Sequence, residues 1–172
     1  MLLCYPHFPT CVIISSVEIN VLVDDGLTGC PRINWLQSVA ERVLIAQGVS
    51  SEAELGLVIA SQERVQELNR SYLGKDAPTD VIAFSMLPDT EPHFVLPPDG
   101  VLHLGEVIIS YPQAVIQAKE HGHSIRKEIA ILIIHGVLHL LGCEDGEPEL
   151  RRQMRARERE ILSYVEAELK LR

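Results

Sequence analysis

At 172 residues the chain has room for one domain with a sizeable core, and its length gives no reason to divide it into two. With 24 acidic against 15 basic residues its formal charge is -9, which excludes a protein that grips nucleic acid by bulk positive charge; such a contact would need a local basic strip. Hydrophobic residues make up 47% and aromatics 5%, so the core is expected to be mainly aliphatic.

Residues 1–16 (MLLCYPHFPTCVIISS) are apolar, but they hold two prolines, lack a positively charged start and stop short of a membrane span. They read as an N-terminal extension ahead of one domain over residues 17–172. No other stretch is long and apolar enough for a bilayer. The cysteines Cys4, Cys11, Cys30 and Cys143 form no C-x-x-C pair, which suits reduced thiols and a cytoplasmic protein.

Val17–Val23 alternates as a strand and is closed by Asp24-Asp25-Gly26. Asn34 is the expected N-cap of a helix through Gln47, with Leu36, Val39, Val43 and Leu44 on one face and Gly48 as its stop. A second strand, Glu54–Ser61, leads into a helix over Gln62–Tyr72 that buries Val65 and Leu68 and ends at Gly74. Val81–Met86 is the third strand, and Leu87–Gly100, with four prolines, is a surface loop. Val101–Ser110 is the fourth strand, followed by a helix over Pro112–His121. Ser124–Leu141 is apolar nearly all round, through Ile129, Ile131, Leu132, Ile133 and Ile134, and is expected in the interior. The last helix, Glu149–Leu171, turns Met154, Ile161, Leu162, Val165 and Leu169 inward and carries Arg151, Arg152, Arg155, Arg157 and Arg159 on its other face. This order of elements predicts an α+β domain: a four-stranded mixed sheet packed with helices.

The chemistry concentrates in His135-Gly136-Val137-Leu138-His139-Leu140-Leu141-Gly142-Cys143-Glu144-Asp145. On a helix the i, i+4 histidines share one face, about 6 Å apart along the axis. Two unpaired buried imidazoles would cost roughly 2–7 kcal/mol each, a penalty that coordination by a metal ion removes. Gly142 can take the left-handed conformation that ends the helix and returns Asp145 toward the same point. Two histidines and one carboxylate leave a fourth position for water, the arrangement of a catalytic zinc site. Glu144 or Cys143 could replace Asp145, and His121 and His123 are further reserves. The zinc-peptidase motif H-E-x-x-H carries its base directly after the first histidine. Gly136 stands there instead, so a zincin-like metal helix is present without the peptidase base.

Two upstream blocks have ordinary readings. Ala77-Pro78-Thr79-Asp80 is a turn in which Pro78 sets φ and Asp80 caps, and Leu104-Gly105-Glu106-Val107 is a strand in which Gly105 admits another backbone.

From about Val17 to Asp145 the chain resembles the YbeY family of bacterial ribosomal-RNA maturation endoribonucleases. The family's H-G-x-L-H-L-x-G is met by His135, Gly136, Leu138, His139, Leu140 and Gly142. Its P-T-D-V-L-S-F block corresponds to Pro78 through Phe84, its L-G-D/E strand to Leu104 through Ser110, and Asn69, Tyr72 and Asp76 also fall in place. Two positions depart. The family's closing D-H is Glu144-Asp145 here, so an aspartate stands for the third histidine ligand and tilts selectivity toward harder ions. The family's arginine after the upstream tyrosine is Leu73, for which Arg70 or Lys75 are candidate substitutes.

The resemblance implies a cytoplasmic, single-strand-specific endoribonuclease with one zinc ion held by His135, His139 and Asp145. Its substrate would be the 3′ end of small-subunit ribosomal RNA, its partner the small ribosomal subunit, and its role maturation and ribosome quality control. Lys75, Lys119, Arg126 and Lys127 are the basic strip expected to steer the RNA backbone. The alternative is a metal-stabilised ribosome-associated binding protein with weak or no nuclease activity, motivated by Leu73 and the net negative charge.

Overall fold

The computed structural model describes residues 17–49, 52–87 and 100–169. The predicted extension over residues 1–16, most of the predicted proline-rich loop and the last predicted residues of the final helix lie outside the described residues. Four strands, β1 (Val17–Val23), β2 (Ala53–Ala60), β3 (Val81–Ser85) and β4 (Leu102–Ser110), form one mixed sheet in the order β1-β2-β4-β3. The first three in that order run parallel, and β3 pairs antiparallel on the edge of β4. Five helices complete the chain: α1 (Ile33–Ala46), α2 (Gln62–Leu73), α3 (Tyr111–His121), α4 (Ile125–Leu140) and α5 (Pro148–Leu169). The predicted α+β architecture with a four-stranded mixed sheet is the one observed.

The side-chain period of two divides the strands between two cores. Leu55, Leu57 and Ile59 of β2, with Val107 and Ile109 of β4, meet buried residues of α1, α4 and α5 in the larger one. Val58, Ala60, Ile82 and Ile108 meet Val65 of α2 in the smaller one, on the opposite face. Leu104 joins the larger core although its parity differs from Val107, because the β2–β4 register shifts at Glu54/Leu55 and β4 carries one extra residue there. Gly105 follows at φ 121°, and a Cβ on it would lie 2.0 Å from the Phe84 carbonyl oxygen, so only glycine lets β3 close on β4 at this point. This is the close backbone approach expected of Gly105.

Several element ends fall a residue from expectation, and one helix cap differs in kind. The cap of α1 is Arg32, not Asn34: the Arg32 carbonyl accepts from the Trp35 and Leu36 amides at 2.9 and 3.1 Å and so opens the helix. Asn34 already lies inside the first turn, where its carbonyl accepts the Ser38 hydroxyl. The backbone ladder decided the start, and a favourable capping side chain two residues later had no orphan amide to serve.

α4 runs through the middle, packed on β3, β4, α1, α3 and α5. Ile129, Ile133, Ile134, Val137 and Leu138 are fully buried on it, each contributing about 1.5–3 kcal/mol of apolar burial for the larger side chains. Gly136 sets how closely α4 sits on the sheet, since a Cβ there would fall 2.5 Å from Val107 Cγ1. The residue that lacks the peptidase base is thus a packing contact. It brings the helix carrying both histidines down onto β4.

Candidate metal centre and its cleft

His135 and His139 lie in the last turns of α4, with their Nε2 atoms 3.1 Å apart and their rings nearly perpendicular. The helix then ends as the glycine signal requires: Gly142 takes φ 82°, its amide bonds the His139 carbonyl, and the Cys143 amide bonds the Leu138 carbonyl. This pair of bonds is the Schellman turn. It folds the chain back so that Asp145 offers an oxygen within 4.8 Å of the two imidazole nitrogens. Sequence reasoning named these three residues, and the fold brings them together. Glu144 and Cys143, the other candidates on this segment, are not among the gathered donors.

A fourth residue, Glu158 on α5, had no assigned role in the sequence. Its Oε1 lies 2.6 Å from His135 Nδ1, 23 positions away in the chain. A carboxylate there holds the proton on Nδ1 and leaves the Nε2 lone pair facing inward. Glu158 is the largest cause of a raised His135 pKa, which burial partly offsets. His139 moves the opposite way, lowered first by burial and then by the neighbouring His135 charge. A bond to the Cys143 backbone works the other way and favours the protonated ring. Two imidazole nitrogens 3.1 Å apart beside a carboxylate form a compact donor set. A cation is the species that fits it, and the nitrogen–oxygen mixture suits zinc or a comparable divalent ion.

The centre opens into a cleft of about 450 Å³ lined by His135, Asp145, Asp80, Glu128, Glu158, Arg151 and Arg155, among others. Asp80 keeps the turn role expected of it, since Oδ1 accepts the Val81 amide at 2.8 Å. Its other oxygen accepts from Gln117 Nε2 at 2.9 Å, and its charge helps to raise the His135 pKa. Buried Asn69 steadies this segment by donating to the Ala77 carbonyl at 2.8 Å. Arg151 holds the segment after α4, donating to the Asp145 and Gly146 carbonyls at 3.0 and 3.3 Å.

His121 and His123, expected as reserve ligands, gather instead on Glu128, a carboxylate only 3% exposed. His121 Nδ1 is 3.4 Å from Glu128 Oε2, and His123 Nε2 contacts the same oxygen. Glu128 precedes His135 by two helical turns, so this is a second polar cluster on the wall of the same cleft. Its signal was an acidic residue inside an otherwise buried helix.

The charges expected to steer RNA are scattered. Lys127 pairs with Glu166 at 2.7 Å, and Arg126 lies over the Trp35 ring. Lys75 and Lys119 are exposed and do not line the cleft. Arg70 is exposed in the last turn of α2 and does not line it either, while Leu73 is 54% exposed.

A family model described as Endoribonuclease YbeY matches residues 31–166. A protein of that name from Dehalococcoides mccartyi strain 195 is 44% identical over 148 residues, covering 83% of this chain and 86% of its own. One from Pelotomaculum thermopropionicum is 43% identical over 154 residues, covering 90% and 96%. A Thermotoga maritima protein solved in solution is similar in fold, with a TM-score of 0.61 at 22% identity over 89% of this chain and 92% of that one.

Proposed function

Because the chain belongs to the YbeY endoribonuclease family, we propose that it is a zinc-dependent, single-strand-specific endoribonuclease of ribosomal-RNA maturation. In this reading it works in the cytoplasm on the 3′ end of small-subunit RNA, associates with the small subunit and takes part in ribosome quality control. No helix among the described residues is long and apolar enough to cross a membrane. The observation that carries the reading is the pair of Nε2 atoms 3.1 Å apart with an Asp145 oxygen beside them. His135, His139 and Asp145 would hold the ion. When bound, it supplies Lewis acidity toward a phosphoryl oxygen and a water molecule.

The protein's own groups set the rest. Glu158 keeps His135 in the tautomer that offers Nε2, and Arg151 fixes the backbone beside Asp145. Asp80 places a carboxylate on the cleft wall, where it can accept a proton from an attacking water. Gly136 leaves no base at the peptidase position, which favours phosphodiester over peptide chemistry.

The test is cleavage of single-stranded ribosomal RNA by purified protein of measured zinc content, beside His135→Ala and His139→Ala. Loss of zinc and cleavage together is the expected result. An intact RNA with the zinc-loaded native protein, unchanged in the variants, removes the enzymatic reading. Exposed Leu73, with neither Arg70 nor Lys75 on the cleft, favours the second reading of a metal-stabilised ribosome-binding protein with little turnover. That reading requires co-sedimentation with ribosomes that survives His139→Ala in a folded protein.

A further inference from the structure

The cleft presents an electrostatic problem for its proposed substrate. Asp80, Glu128, Asp145 and Glu158 line it, against only Arg151 and Arg155. The lining thus holds more carboxylates than guanidinium groups. The cations lie on one side, along α5.

Five arginines fall between residues 151 and 159 of a chain with formal charge -9. Three are engaged within the protein. Arg151 holds the Asp145 and Gly146 carbonyls, and Arg152 pairs with Glu149. Arg157 bonds Glu160 at 2.7 Å and the Ala46 carbonyl at 2.9 Å. Arg155 and Arg159 are exposed, and among the described residues neither guanidinium meets a carboxylate. The Arg159 Nε donates to the Arg155 carbonyl at 3.2 Å, and its two terminal nitrogens have no partner among the described residues.

These two residues are one turn apart on the same face, about 6 Å along the axis. Both line a shallow groove of about 580 Å³ with Arg152 and Glu158, and Arg155 also lines the metal cleft. Arg155 therefore stands where groove and cleft join. The one carboxylate lining the groove, Glu158, has one oxygen engaged within the protein, 2.6 Å from His135 Nδ1.

We propose that Arg155 and Arg159 form the track that leads the phosphate backbone of single-stranded RNA into the cleft, with Arg155 at its inner end. The proposal rests on the endoribonuclease reading and gives it a polarity: the strand enters along α5, not along the end of α2 where Leu73 stands. Guanidinium groups in a row bind phosphates without reading base identity, so the track positions the strand and leaves sequence choice to other contacts.

The test is binding of a single-stranded ribosomal-RNA fragment by zinc-loaded protein over a salt series, with cleavage and zinc content measured alongside. Loss of two phosphate contacts in Arg155→Ala/Arg159→Ala is expected to lower the slope of log K against log salt by about 1.4. Arg155→Lys/Arg159→Lys is expected to keep the slope, and both variants to keep their zinc. A native protein that binds and cleaves RNA while the alanine pair shows the same slope overturns the track alone. A native protein that neither binds nor cleaves overturns both readings. Preference for an acidic protein surface over RNA at equal charge, lost in the alanine pair, assigns the row to a protein partner and overturns the proposal.

Discussion

Replacing Glu158 by Gln removes one charge while keeping a carbonyl oxygen that can accept from His135 Nδ1. The bond is 2.6 Å long between side chains 29% and 21% exposed, so solvent screens it only in part. Charge-assisted hydrogen bonds of this kind are worth about 1.5–3 kcal/mol. Removing a residue that orients a ligand histidine typically costs about 10–100-fold in metal affinity, or roughly 1.4–2.7 kcal/mol. The two ranges overlap, which is expected if the same interaction underlies both. The pH dependence follows from the same contact. The Glu158 bond raises the His135 pKa above its ordinary 6.5, so in metal-free protein its stabilisation is fully present below that value and fades as pH rises through the raised one. Metal requires the opposite, unprotonated Nε2. As pH falls, competition from the proton therefore sets in earlier in the native chain than for an ordinary imidazole, because the His135 pKa is raised, and its onset moves downward in Glu158→Gln. Zinc titration against a chromophoric chelator, repeated over pH, measures both effects. An affinity and pH midpoint that match the native protein would refute the claim that Glu158 governs this ligand.

Gly136→Ala places a methyl against Val107 Cγ1 and should cost about 1–3 kcal/mol by overpacking; a double-mutant cycle with Val107→Ala, read by thermal melting, should show coupling above ~0.5 kcal/mol. Additive melting shifts would mean that α4 does not bear on β4 at this point. Asp145→Ala is expected to emerge from desalting without zinc, whereas Asp145→His should retain it through a third imidazole, as elemental analysis would show. Full occupancy in Asp145→Ala would remove Asp145 from the ligand set. Leu73→Arg restores the cation that the family carries at this position; a gain of about tenfold in kcat/KM, equivalent to ~1.4 kcal/mol, would mark the native chain as a weakened nuclease. Unchanged kinetics would mean that the end of α2 takes no part in cleavage.

What could be read from the chain was local. Strand alternation located β1 to β4, and helical periodicity separated Met154, Ile161 and Val165 from the arginines of α5. The His135/His139 pair was legible because helix geometry alone places i and i+4 together, and Gly142 because few residues but glycine rest at φ 82°. The order β1-β2-β4-β3 was not legible, since strand pairing joins residues such as Val17 and Ala53 that no local pattern connects. Asn34 misled because a cap was judged by residue type, while the ladder began at the Arg32 carbonyl.

Glu158, Glu128 and Arg155 were hidden for a different reason: each is an ordinary charged residue until the fold supplies its neighbour. Glu158 gains a role only when α5 packs against α4, and Arg155 only when the same packing sets it on the rim of the cleft. α5 thus holds the centre twice, at His135 through Glu158 and beside Asp145 through Arg151. The two histidines face each other because of one helix, but their protonation and the position of the third donor depend on another. A chain cut before residue 148 would therefore keep every residue of the histidine–aspartate donor set and lose the groups that orient it.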